Sequence, residues 1–400
     1  MFNRREFLTQ ASCLAIAPVI PEILLRAGQA AESNANDRIL VVIEMVGGND
    51  GINCVVPFSD EGYAKSRNRL RLPKDTLIRV NDRIALHPSM KDAARLLENG
   101  QLAIVQGVGY PDSSESHEVA QAVWHSSRID PEDATAGWIG RVLDHILPNP
   151  ARPTAMLVGD DQPAPALRGR KAVTGAINTL EELLISRGAV SALEMSLPRG
   201  VEINDDLISF VRQNAATAAT TAKRLNWAAQ RQSHDTSFPP TELARRLKLT
   251  SRLIQADMGT KVFYVMQPGY DTHSIQNATH PDLLEELGGA LSAFINDLKS
   301  AGLDQQVIVF CFSEFGRRVE ENASEGTDHG TAGPVFLAGT NIQGGLFGEP
   351  PSLTDLNDGN LKVSVDFRRV YASLLDNWLE VDSSVILGTR FETLPLFRKA

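Results

Sequence analysis

Apolar residues arrive in short, dense, β-branched runs, and polar helical stretches separate them. The run Arg38–Val46 has no polar alternation, which predicts a strand buried on both faces. Gln101–Gln106, Lys261–Met266 and Gln306–Phe312 read the same way, and weaker runs lie at Thr154–Val158, Val335–Ala338 and Lys362–Val365. Helical periodicity covers Met90–Asn99, His117–Ser126, Gly137–Leu147, Asp282–Ser300 and Phe367–Glu380. Strands alternating with helices predict an α/β chain built on a mainly parallel sheet. Asp205–Ala256 is Ala-rich and largely helical, broken near Ser233–Pro240 by Ser, Asp and a Pro pair. It reads as a helical insertion packed beside the sheet.

The N-terminus has a different character. Asn3-Arg4-Arg5-Glu6-Phe7-Leu8 precedes a modestly apolar stretch, Ala11–Leu25, and then small residues at Gly28-Gln29-Ala30. That order is a positive region, an apolar region and a cleavage site, so residues 1–30 read as a twin-arginine signal and 31–400 as one domain. The expected location is the periplasm or the extracellular space. Pro18, Pro21 and Glu22 interrupt the apolar stretch, which leaves it too short for a stable membrane anchor.

Charge narrows the partners. The formal net charge is −10, and the first 30 residues hold three arginines against two glutamates, so removing them gives −11. An acidic chain does not grip nucleic acid through its phosphates. Of the three cysteines, Cys13 leaves with the signal. Cys54 and Cys311 are then either buried thiols or one bridge, and no zinc-type cysteine spacing exists.

Ligands of open parallel sheets bind beyond the carboxyl ends of the strands. The residues after the four strong strands are therefore informative. They are Gly47-Gly48-Asn49-Asp50-Gly51; Asp112-Ser113-Ser114-Glu115-Ser116-His117; Pro268-Gly269-Tyr270-Asp271-Thr272-His273; and Ser313-Glu314-Phe315-Gly316-Arg317-Arg318, followed by Gly326-Thr327-Asp328-His329-Gly330. Each strand delivers a carboxylate, an imidazole or a hydroxyl to one edge. Oxygen and nitrogen donors without thiolate suit zinc, manganese or another borderline divalent ion. Ser116 opens a predicted helix, where it is either an N-cap or a nucleophile activated beside a metal. Arg317 has the planar fork that clamps an anion's oxygens. Taken alone, Asp50 is more often a turn residue than a ligand, and Glu314 reads as a helix-start carboxylate.

Taken together, Gly47-Gly48-Asn49-Asp50-Gly51-Ile52-Asn53, Ser116-His117-Glu118, Tyr270-Asp271-Thr272-His273, Ser313-Glu314-Phe315-Gly316-Arg317 and Gly326-Thr327-Asp328-His329-Gly330 resemble, in order, the bacterial family called domain of unknown function 1501. The segment Asp366-Phe367-Arg368-Arg369-Val370-Tyr371 to Trp378-Leu379 also resembles it. That family is grouped with the alkaline phosphatase and sulfatase superfamily. The resemblance implies an alkaline-phosphatase-like fold with helices on both sheet faces, and metal ligands at Asp50, Asp271, His273 and His329. It also implies Ser116 as nucleophile; His117, Glu314 and Asp328 are further candidate ligands from the loops themselves. Ser313-Glu314 departs from the superfamily's Asp-His at that strand, and Cys54-Val55-Val56-Pro57 does not match the sulfatase formylglycine motif. The expected function is a metal-dependent hydrolase of an anionic phosphate or sulfate ester. The competing reading is a non-catalytic exported protein that keeps the fold to bind or assemble.

Overall fold

The computed structural model describes residues 38–130, 135–146, 153–159, 161–179, 236–257 and 259–398. The expected signal and the first part of the helical insertion lie outside the described residues.

Nine described strands form one sheet: β1 (Ile39–Val46), β2 (Leu102–Gly109), β3 (Pro153–Val158), β4 (Val173–Ile177), β5 (Val262–Pro268), β6 (Val307–Phe312), β7 (Gly333–Ala338), β8 (Gly345–Phe347) and β9 (Val365–Asp366). Their order is β8-β2-β7-β6-β1-β5-β3-β4, with β9 also paired to β2. Only β7 runs against its neighbours, antiparallel to β2 and β6; the other pairings are parallel. The centre is β1, whose Val42 lies opposite Tyr264 of β5 and Phe310 of β6.

The unbroken apolar run of β1 has its reason in burial on both faces. Val41, Ile43 and Met45 join one core with helices α1 (Lys91–Glu98), α4 (Glu242–Gln255) and α5 (Gln276–Ser300). Leu40 and Val42 join a second core with α2 (His117–Ser126), α3 (Trp138–Ile146) and α6 (Phe367–Leu374). The sheet is therefore covered on both sides, as parallel sheets require. One carboxylate breaks the pattern: Glu44 is buried in β1, where Tyr264 donates to it at 2.6 Å and His125 Nε2 lies 3.1 Å away. Cys54 and Cys311 are buried free thiols, and burial pushes Cys54 up to about 12.

Three elements differ from expectation. Helix α5 starts at Gln276 rather than Asp282 and runs through Pro281. The missing proline N–H removes one bond, yet Leu284, Leu287, Leu291 and Phe294 still bury the helix against the sheet. The C-terminal helix turns π-helical over Leu375–Leu379 and stops at Glu380, which is left-handed at φ 56°. Within Lys362–Val365 only Val365 enters the sheet, in β9. The described half of the insertion, α4, packs on α5, and its Leu243 and Leu247 join the same core.

Candidate metal centre

Because β1, β5 and β6 are parallel and β2 points the same way, their carboxyl ends share one edge. The turn after β1 needs glycine: Gly47 has φ 121°, and a Cβ there would lie 2.4 Å from the Asp271 amide nitrogen. The turn aims three amides inward. Gly47 N–H donates to Glu314 Oε1 at 2.9 Å, Gly48 N–H to Ser313 Oγ at 3.1 Å and Asn49 N–H to Ser313 Oγ at 3.0 Å. This nest resembles those that bind anions, and here the protein fills it with the Glu314 carboxylate and the Ser313 hydroxyl.

Four side chains gather at the rim. One ligand atom each from His117, Asp271 and His329 lies within 4.8 Å of the others. His273 stands beside them, its Nε2 2.8 Å from His329 Nε2 and 3.0 Å from Asp271 Oδ1. His329 Nε2 lies 3.1 Å from the same oxygen, and His117 Nε2 lies 3.6 Å from Asp271 Oδ2. The other ring nitrogen of each histidine faces outward to an acceptor. His117 Nδ1 meets Glu314 Oε1 at 3.0 Å, His273 Nδ1 meets Asp328 Oδ1 at 3.4 Å, and His329 Nδ1 meets the Glu115 carbonyl at 2.6 Å. Phe315 is buried and packs its ring 5.0 Å from His117 and 4.6 Å from His329.

The charges follow the contacts. Burial opposes ionisation of Asp271, but the bond from Arg317 and then that from His329 outweigh it and hold the carboxyl at about 2. Glu314 is fully buried, which also opposes charge, yet His117 and the Gly47 amide bring its pKa below the ordinary value. The bond to Glu314 in turn raises His117.

Several expected site residues stand elsewhere. Asp50 lies at the same edge, fully buried, with both oxygens occupied: Arg67 donates at 2.6 and 3.0 Å and Gln276 at 2.5 Å. It is a buried ion-pair partner, with no oxygen turned to the histidines. Arg317 is not free for an anion either. Its donors go to the carbonyls of Gly47, Gly48, Tyr270 and Thr327 and to Asp271 Oδ1 at 2.6 Å, so it stitches the loops together. Glu314 and Asp328 stand behind His117 and His273 rather than at the open ligand atoms. Ser116 occupies the N-cap position of α2, is exposed, and makes no side-chain cap bond.

Sequence reading missed Arg67, Gln276 and the Glu115 carbonyl. Nothing in spacing marks Arg67. Gln276, three residues beyond His273 at the new helix start, is visible only once the helix is known to begin there.

Fold and cluster define an α/β protein with a histidine- and aspartate-lined candidate metal centre at the carboxyl edge of its parallel strands. The chain belongs to the family described as Protein of unknown function (DUF1501), whose model matches residues 37–388. No curated protein matches the sequence. Among solved structures, a sulfatase from a Pseudoalteromonas species aligns over 96% of this chain and 74% of its own, at 9% identity and a TM-score of 0.41. A protein in the alkaline phosphatase superfamily from Vibrio parahaemolyticus aligns over 92% and 77%, at 9% identity and 0.38. Alkaline phosphatase from an Antarctic bacterium aligns over 77% and 93%, at 12% identity and 0.31. The overlays are long and loose, and no activity passes from them to this chain.

Proposed function

We propose that the protein is an exported, metal-dependent hydrolase of a phosphate or sulfate ester, holding one divalent cation with His117, Asp271, His273 and His329. Zinc or manganese suits three imidazoles and a carboxylate. The observation that carries the reading is the orientation of the rings. Each Nδ1 is turned outward to a protein oxygen and each Nε2 faces Asp271, so that with the proton held on Nδ1 an ion would meet the Nε2 lone pairs. Outer acceptors of this kind orient ligating histidines in metal sites.

When bound, the ion would supply Lewis-acid polarisation of an ester oxygen. The rest belongs to the chain. Arg317 and His329 keep Asp271 ionised, so the centre carries a negative charge that favours a cation. Glu314 and Phe315 hold His117 in one orientation. Ser116, exposed and next to His117, is the candidate nucleophile. Export rests on the Arg4-Arg5 signal; no helix among the described residues is long and apolar enough to cross a membrane.

The second reading, a metal-binding protein without turnover, has one observation in its favour. The glycine-turn amides and Arg317, the groups best suited to hold an anion, are consumed internally. Elemental analysis of protein purified without added metal, with a screen of phosphate and sulfate esters, separates the two. About one ion per chain with turnover supports the hydrolase, metal without turnover supports the second reading, and no metal overturns both.

A further inference from the structure

We infer that Gln276 is a positioning residue of this centre, its buried amide setting the distance between the loop that carries Asp271 and His273 and the loop that carries His329. The inference rests on the proposed metal centre for its effect on affinity. The geometry behind it is independent of any ion.

Gln276 Oε1 accepts from Thr272 Oγ1 at 2.9 Å and from Thr327 Oγ1 at 2.7 Å. Thr272 sits between Asp271 and His273, and Thr327 lies two residues before His329. All three side chains are buried, so water cannot replace a lost bond. The amide can face only one way. Its other end meets ionised Asp50, which has no proton to give, so Nε2 must point there and the oxygen toward the two hydroxyls. Asp50 is in turn gripped by Arg67, whose Nε and Nη2 donate to the carbonyls of Val319 and Arg318. Those carbonyls belong to the strand Arg317–Glu321, which pairs with Thr327–His329. The circuit therefore closes on the loop it positions.

Two further contacts bring the loops together. Thr327 N–H donates to the Thr272 carbonyl at 3.1 Å, and a Cβ on Gly326 would lie 2.2 Å from the His273 carbonyl carbon. The helix start that places Gln276 is imposed by tertiary structure. Exposed, β-branched Ile275 is left-handed at φ 48°, while its N–H and that of Gln276 donate to the carbonyls of Ser324 and Glu325. A β-branched residue adopts that backbone only where its surroundings demand it. The outcome is the 2.8 Å approach of His273 Nε2 to His329 Nε2.

The test measures zinc and manganese affinity of the full chain by competition with a chromogenic chelator. Thr272→Val and Thr327→Val keep shape and remove the hydroxyl; Gln276→Met removes the amide. Each should weaken the ion about 10- to 100-fold, whereas Thr272→Ser and Thr327→Ser should stay within about threefold of wild type. If the valine variants melt lower but keep wild-type affinity, the network serves stability alone and the inference is wrong. Should Gln276→Met fail to fold, the threonine pairs decide. Wild type that takes up neither ion removes the metal centre, and the spacing is then judged by NMR of ¹⁵N-labelled histidines. A change in the His273 and His329 Nε2 shifts in Thr327→Val that Thr327→Ser does not show sustains the inference; wild-type shifts in the valine variant overturn it.

Discussion

Replacing Arg67 with methionine strands the Asp50 carboxylate in the core. Both partners of the Asp50–Arg67 pair are fully buried. Asp50 receives two bonds from the guanidinium and one from Gln276, so the variant keeps only the neutral partner. Breaking a buried pair by removing one partner destabilises by about 3–5 kcal/mol. Unfolding entropy near 2.1 cal/mol/K per residue, over roughly 350 residues, gives about 0.7 kcal/mol/K, hence a melting point about 4–7 °C lower. The pH dependence carries a sign. In the wild type burial raises the Asp50 pKa, but Arg67 first and then His280 and the hydrogen bonds bring it below 3.8, so ionised Asp50 stabilises above that pH and the benefit goes as pH falls through the folded pKa. In Arg67→Met burial is opposed far less and the folded pKa rises above the unfolded one. The deficit against wild type should therefore be small near pH 4, grow as pH rises and level off above the variant's own pKa. Differential scanning calorimetry of both proteins from pH 4.5 to 7.5 reads it. A loss under about 1 kcal/mol at neutral pH, or a deficit that does not change with pH, would refute the account.

Other outcomes are expected from the centre itself. His329→Ala should lower the metal-to-protein ratio more than Ser116→Ala, since only the first removes a ligand atom, while both lower any ester hydrolysis; full metal in His329→Ala ends its ligand role. Glu314→Gln, which keeps shape but not charge behind His117, should weaken metal binding about 10- to 100-fold by chelator competition. Changing Arg4 and Arg5 to lysine keeps the charge and should leave precursor in the cytoplasm by fractionation, so normal export would end the twin-arginine assignment.

What was legible in the sequence was whatever depends on local pattern. The apolar run of β1 announces burial on both faces, because a strand covered on one side only would alternate. The loops rich in Gly, Asp and His stand out because chemistry placed after strands of a parallel sheet collects at one edge, and His117, Asp271, His273 and His329 do meet there. The start of α5 was not legible: Pro281 argues for a later beginning, and only contacts with the turn at Ser324 and Glu325 hold the earlier one.

Roles within the cluster were decided by tertiary structure alone. Asp50 and Asp271 both follow a strand in a glycine-bounded turn, and nothing local separates them. What separates them is that Arg67 folds over the first while the second stays half open beside three imidazoles. Arg317, with a free anion clamp's chemistry, spends its donors on four carbonyls and Asp271, and Glu314 occupies the amide nest that glycines seemed to offer an outside anion. A side chain's type sets which bonds it can make. Which of them it does make depends on partners far away in the chain, whose arrival the packing of the whole domain controls.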